Sequence, residues 1–328
     1  MPGSNAVETR VNDPVHYRAP LPYAGRYYPY GFPVEILSDA REVLAAAERS
    51  YGAFTPRFDR PALRVHVFVT AGSPVPPPAP ALRGQRHLLM WVSDHENFAV
   101  IDRAARFGYS CVTRATLDDQ VFFRWHFLDS LVYTLLEFNY LTFLHAACVA
   151  WNGAGVLLAS ESGMGKSTVS YACARNGWTY VSDDACAILW DSGRTVIGEP
   201  HRFRFREDAP DLFPELRGRI AGRQLESKPT IEVASADLPI RTAAECRVAH
   251  IAFLEREPGI RAGIRRIAKE EALERFEQDT AAFDPEMDAR RRRDFEKIAE
   301  SPAYHLRYSS FDDAVSLLEH IVRGGSEV

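Results

Sequence analysis

The sequence predicts an α/β protein in two parts, a smaller α+β N-terminal domain over residues 1–135 and a C-terminal α/β domain over residues 136–328 that carries the chemistry. Three observations predict it. The first is a strand-like run, Gly155 to Ala159, that leads into Ser160-Glu161-Ser162-Gly163-Met164-Gly165-Lys166-Ser167 and then a helix-like run stopped by Asn176-Gly177. The second is a strand-like stretch, Trp178 to Ser182, that ends in Asp183-Asp184. The third is a series of short runs, His87 to Val92, Phe98 to Ile101 and Ala105 to Val112, spaced by turn residues as in an antiparallel meander.

Composition narrows the function classes. The chain has 328 residues, enough for about two domains. With 46% hydrophobic and 25% charged residues it is ordinary for a globular protein, and a net charge of −5 argues against a dedicated nucleic-acid partner. The longest apolar region, Val121 to Trp151, contains Arg124, His126, Asp129, Glu137 and His145, so no membrane span is expected. The N-terminus carries no secretion or lipidation signal, and the expected location is the cytoplasm. Five cysteines without a Cys-x-x-Cys pair are expected to be reduced core residues.

The N-terminal half supplies no chemistry. Residues 1–30 show no period and are expected to form an irregular arm. Leu63, Val65, Val67 and Val69 alternate with Arg64, His66 and Phe68 as a half-buried strand does. Pro74 to Pro80 is a stiff loop. His66, His87 and His95 lack metal-ligand spacing. Arg124 to Phe138 has Trp125, Leu128, Leu131, Val132, Leu135 and Leu136 at helical spacing and is expected to be a buried connecting helix.

In the second half, Phe143 to Ala150 is expected to be one strand and Asn152-Gly153 a hairpin turn into the strand Gly155 to Ala159. The segment that follows fits a phosphate loop. In that pattern glycine-rich backbone N–H groups face phosphate oxygens, a lysine reaches the β and γ phosphates, and a hydroxyl coordinates Mg²⁺. Residues Ser160, Glu161, Ser162, Gly163, Met164, Gly165, Lys166, Ser167 and Thr168 would form the nucleotide site, with Ser160 at the place of the pattern's first glycine. A serine fits there if the backbone needs no positive φ. Asp183-Asp184 lies where an acid that holds Mg²⁺ belongs, and the second carboxylate can accept the proton of an attacking hydroxyl.

These residues resemble the bacterial HPr kinase/phosphorylase family and its relatives over about residues 140–192. That family carries a histidine-bearing strand, a short turn, Gly-x-Gly-Val-Leu-x-x-Gly-x-Ser-Gly-x-Gly-Lys-Ser, a helix that ends in glycine, and Ala-Asp-Asp at the next strand end. Here His145, Gly153, Gly155, Val156, Leu157, Lys166-Ser167 and Ser182-Asp183-Asp184 occupy the matching places. The resemblance implies a C-terminal domain akin to phosphoenolpyruvate carboxykinase, a mixed sheet flanked by helices. It also implies ATP phosphates on the loop and Lys166, Mg²⁺ on Ser167 and Asp184, Asp183 as the catalytic base, and His145 near the phosphate. The Glu-x-Arg-Gly-Leu-Gly signature of true HPr kinases is absent, and Lys228-Pro229-Thr230-Ile231-Glu232-Val233 is the nearest segment. What remains is similar to a divergent HPr-kinase-like group, including kinases of lasso-peptide clusters, whose targets are serine hydroxyls.

His201 to Arg206 alternates with period two, which puts Phe203 and Phe205 on one face and Arg202, Arg204 and Arg206 on the other. Those arginines either grip a phosphate or acidic substrate or pair with Glu207, Asp208 and Asp211 on a solvated face. Lys228 is a candidate substrate contact. The expected activity is an ATP- and Mg²⁺-dependent kinase that acts on a serine of a protein or peptide. A nucleotide-binding regulator and a small-molecule kinase are the alternatives, and a homo-oligomer is allowed by either.

Overall fold

The computed structural model describes residues 20–161, 163–223, 229–278 and 284–325. It is a mixed α/β architecture of mixed sheets flanked by helices. Alternating apolar residues build the first sheet from β1 (Tyr23–Tyr27), β2 (Val34–Ser38), β3 (Leu63–Thr70), β4 (Ala81–Gln85), β5 (Leu88–Val92), β6 (Phe98–Asp102) and β7 (Phe107–Thr113). Their order is β1-β2-β3-β7-β6-β5-β4, with β2, β3 and β7 parallel and the other pairs antiparallel. The meander β5-β6-β7 has the expected antiparallel pairing. Residues 20–30, by contrast, are not an irregular arm, because β1 pairs along its whole length with β2. Its small, half-exposed sequence Tyr-Ala-Gly-Arg-Tyr hides the alternation.

One face of this sheet is covered by α1 (Arg41–Tyr51) and by a helical run made of α2 (Arg114–Asp118), α3 (Gln120–Phe123), a π-helical turn over Arg124–Asp129 and α4 (Ser130–Asn139). The expected helix runs on without a gap but carries this π turn within it. Trp125 lies inside the turn and is 49% exposed instead of buried. Leu131, Val132, Leu135 and Leu136 keep the core side. The same core runs on into Leu141, Ala187 and Ile197 of the second sheet.

The second sheet holds β8 (Leu141–Leu144), β9 (Ala147–Trp151), β10 (Ala154–Ala159), β11 (Thr179–Ser182), β12 (Cys186–Leu189) and β13 (Thr195–Ile197). A two-stranded ribbon of β14 (Arg202–Arg206) and β15 (Thr230–Ala234) stands beside it. β16 (Arg241–Thr242), β17 (Glu245–Arg256), β18 (Gly263–Ile267) and β19 (Ala303–Tyr308) complete the sheet, in the order β16-β11-β9-β10-β17-β13-β12-β8 with β19 on β17 and β18 on β19. The expected strand from Phe143 to Ala150 is in fact two. β8 pairs with β12 and β9 with β10 and β11, and the chain changes partner at His145-Ala146.

Among the described residues five α-helices accompany this sheet: α5 (Lys166–Arg175), the short α6 (Ala209–Leu212), α7 (Lys269–Gln278), α8 (Pro285–Ile298) and α9 (Phe311–Val322). Side chains alternate along β10, so Val156 and Leu158 pack under α5 and α9 while Leu157 and Ala159 pack under α7 and α8. Strand β10 is buried because neighbours flank it on both sides, β9 antiparallel and β17 parallel. A Cβ at Gly155 would stand 2.6 Å from Cys246 Sγ and 2.7 Å from the Arg247 carbonyl oxygen. Gly155→Ala is therefore expected to destabilise the chain by roughly 1–3 kcal/mol, read as a lower denaturant midpoint. No described helix is long and apolar enough to cross a membrane.

Candidate functional site

Because β9 is antiparallel to both β10 and β11, β10 and β11 run in the same direction and end at one edge of the sheet. The chain leaves β10 at Ser160 and enters α5 at Lys166. Gly163 and Gly165 take φ of +89° and +101°, in the left-handed region that favours glycine. Ser160 is not among the residues of positive φ, so a serine meets no backbone strain at that point. Its hydroxyl donates to the Glu161 carbonyl at 3.1 Å.

Gly165 is the N-cap of α5 and supplies no capping side chain. The first backbone N–H groups of a helix have no intrahelical acceptor, so here a row of donors faces the turn without a side-chain partner at the cap. Lys166 is only 6% exposed, and its Nζ donates to the Ser160 carbonyl at 2.7 Å, which folds the ammonium back across the turn. The turn is braced from behind. Tyr308, at the end of β19, donates its hydroxyl to the Met164 carbonyl at 2.8 Å, and a Cβ on Gly165 would meet Tyr308 Oη at 2.9 Å and the Phe311 ring at 3.2 Å.

The acids arrive on β11. Asp183 is 5% exposed. Its Oδ2 accepts the Arg204 backbone N–H at 2.8 Å, and its Oδ1 lies 3.2 Å from the Tyr180 hydroxyl, which also reaches the Arg202 carbonyl at 2.7 Å. Burial pushes the Asp183 carboxyl up to about 7, while the Arg204 charge and N–H pull the other way. Asp184 is half-exposed and differs sharply. Its Oδ1 stands 3.1 Å from His145 Nε2, and that hydrogen bond holds its carboxyl below the usual range against the effect of burial. Ser167 Oγ reaches the Asp183 carbonyl at 3.4 Å. Two adjacent carboxyls thus have opposite proton affinities, one able to take up a proton near neutral pH and one kept ionised.

Lys166, Ser167, Asp183, Asp184 and His145 therefore meet at one sheet edge. His145 is exposed because it sits in the break between β8 and β9, not within a strand. Ser162 and Lys228 lie outside the described residues. On β14, Phe203 and Phe205 are buried, with Phe203 stacked on Tyr180 at 3.8 Å between ring centroids, and the arginines occupy the other face. The acids that pair with them are not Glu207, Asp208 and Asp211. Arg202 binds Glu199 and lies 3.4 Å from Glu232, and Arg204 stands 3.8 Å from each of the same two carboxylates. Glu232 is directly opposite Arg204 in the β14-β15 register, a pairing that sequence spacing cannot reveal. Arg206, at the end of the strand, shares in neither pairing. Glu199 and Tyr180, each three residues from the group it meets, and Tyr308, 144 residues from Met164, carry no motif that marks them in the sequence.

Donors for a cation at this edge are hard oxygens, the Ser167 hydroxyl and the ionised Asp184. No described group of three or more His, Cys, Asp or Glu side chains converges as a metal cluster. One or two protein oxygens fit Mg²⁺, which keeps most of its water and takes its remaining ligands from phosphate.

No family model and no curated protein matches the chain. Among solved structures, the Hpr(Ser) kinase/phosphatase from Coxiella burnetii matches at 14% identity with a TM-score of 0.29, over 56% of this chain and 94% of that one. At that score the likeness carries no argument about function, which has to come from the site itself.

Proposed function

We propose that this chain is an ATP- and Mg²⁺-dependent kinase that transfers the γ-phosphate to a serine hydroxyl of a protein or peptide. The observation that carries the proposal is the convergence at one sheet edge of an uncapped helix N-terminus, a buried lysine and two adjacent carboxyls of opposite proton affinity. In this reading Ser160 to Thr168 form a phosphate loop that cradles the donor phosphates, and residues 136–328 are the catalytic domain. Residues 1–135 are the N-terminal domain of this reading, and its described part shares a core with the catalytic domain at Leu141, Ala187 and Ile197.

The roles follow from the chemistry of each group. The N–H groups of the first turn of α5 and the Lys166 ammonium hold phosphate oxygens and offset their charge. Ser167 and Asp184 would hold Mg²⁺, which when bound neutralises charge on the β and γ oxygens. His145 orients Asp184 through the 3.1 Å contact. Asp183 accepts the proton of the attacking hydroxyl, and its raised proton affinity suits a base that works near neutral pH. Arg204 fixes the Asp183 carboxylate through its N–H and lends it a nearby positive charge.

One observation favours the second reading, a nucleotide-binding regulator. The Asp183 carboxylate is almost wholly covered, with a donor within reach of each oxygen. The two readings separate when ADP release from Mg-ATP is measured alone, with serine-bearing peptides, and with small-molecule alcohols. The kinase reading expects release that depends on the peptides. Slow release unchanged by any acceptor supports the regulator, and release driven only by a small alcohol supports a small-molecule kinase.

The brace on the loop gives a milder prediction. Tyr308→Phe removes one hydrogen bond, about 1 kcal/mol, and is expected to lower the melting temperature by a few degrees, roughly 2–4 °C, and to weaken Mg-ATP binding by up to about fivefold as the loop loses its brace. Calorimetric titration checks it, and an unchanged Kd would mean that the Met164 carbonyl needs no donor to hold the loop.

A further inference from the structure

The sheet edge that carries the loop also bounds a cavity of about 990 Å³ that the roles above leave unused. Its near rim is His145, Ser160, Glu161 and Met164, so it opens directly from the loop. Its far end lies over Phe253 on β17 and His305 on β19, with α7 as the wall. Both β17 and β19 run parallel to β10, on the opposite side of it from β9 and β11. Across the edge the order is therefore acids, loop, cavity.

That order assigns the two sides of a phosphoryl transfer. The attacking and leaving oxygens stand roughly in line on opposite sides of the transferred group. If the acceptor hydroxyl approaches from the side of Asp183, the leaving nucleotide extends to the other side, into the cavity.

The lining fits a neutral, flat, hydrogen-bond-donating occupant. Phe253 and Phe276 give the floor apolar aromatic character, and the Arg275 guanidinium lies over the Phe253 ring at 5.1 Å, held by Glu271 at 2.8 Å. A planar ring can stack on an arginine fixed in this way. Glu274 and Gln278 are exposed on α7 at the same wall and offer acceptors to an exocyclic amine or ribose hydroxyls. The carboxylates Glu161, Glu255, Glu271 and Glu274 around the space disfavour a second phosphate or another anion there. Its size is that of a small-molecule site.

We infer that this cavity between the loop and α7 is the seat of the purine nucleoside of the phosphate donor, and that the acceptor enters from the Asp183 side. The inference rests on the loop being the phosphate site, so its test is built to let the two fail separately. Mg-ATP, Mg-UTP and Mg-tripolyphosphate are titrated calorimetrically into the full chain and into Arg275→Ala and Glu274→Ala. Tripolyphosphate reports the loop alone. A stacked purine is expected to make ATP bind at least about tenfold tighter than tripolyphosphate and tighter than UTP.

Both variants are expected to lose part of that advantage, Arg275→Ala most of it, while tripolyphosphate affinity stays within about twofold. Glu274 is on an exposed helix face, so its variant keeps the test intact should Arg275→Ala loosen α7. If ATP and tripolyphosphate bind equally, or the ATP advantage survives both substitutions, the cavity is not the nucleoside seat although the loop still holds phosphate. If neither ligand binds, both assignments fall.

Discussion

Lys166→Ala abolishes measurable Mg-ATP binding and leaves the fold intact. The two effects have different origins. Lys166 is almost fully covered, and the solvation energy that its burial costs works against the 2.7 Å bond to the Ser160 carbonyl and the attraction to Asp184. Its removal therefore costs the empty protein little. Bound phosphates lose a charge-assisted hydrogen bond of about 1.5–3 kcal/mol and the charge compensation that goes with it. Affinity is expected to fall by about two orders of magnitude or more, and the rise in melting temperature that Mg-ATP confers on the wild type should vanish, since that rise depends on ligand concentration relative to Kd. A variant that kept the ligand-induced rise would place the phosphates elsewhere.

Asp183→Asn keeps nucleotide binding and loses transfer. The substitution preserves shape: the amide oxygen accepts the Arg204 N–H, and the amide NH2 donates to the Tyr180 hydroxyl oxygen, whose own proton goes to the Arg202 carbonyl. The stability cost is about 1 kcal/mol or less. Asn has no lone pair basic enough to take the acceptor proton, and loss of a positioned base is worth about 10²–10⁴ in rate. Mg-ATP should bind within about threefold of wild type while phosphoryl transfer under saturating donor falls by that factor. Wild-type transfer by Asp183→Asn would remove the base from Asp183.

The centre of the site was legible in the sequence for local reasons. Glycines at 163 and 165 mark two positions of left-handed φ in the turn, and a buried strand flanked by two neighbours reads as a continuous apolar run. Asp183-Asp184 stands out because charges end an apolar stretch. What surrounds the centre was not legible, because it depends on partners distant in sequence. The change of strand partner at His145 is marked by no turn residue, because apolar residues flank the histidine on both sides, yet that break is what frees His145 to meet Asp184. The π turn that exposes Trp125 follows no 3.6-residue period. Glu232 comes to Arg202 and Arg204 from the neighbouring strand, and Tyr308 crosses 144 residues of sequence to reach Met164.

Local and long-range contacts together separate the two carboxyls. Adjacent aspartates look alike in a sequence, and only the cover given by Tyr180 and Arg204 to one and the His145 contact of the other set them to different tasks.

The most direct measurement of the central claim uses ATP labelled in its γ-phosphate, with the wild-type chain and the Asp183→Asn variant in parallel, and serine-bearing peptides as acceptors. The label is then followed into acid-stable phosphoserine. The kinase assignment predicts peptide-borne phosphoserine with the wild type and a loss of at least about a hundredfold with Asp183→Asn. Label released only as inorganic phosphate by the wild type, or passed to serine equally well by Asp183→Asn, would contradict it.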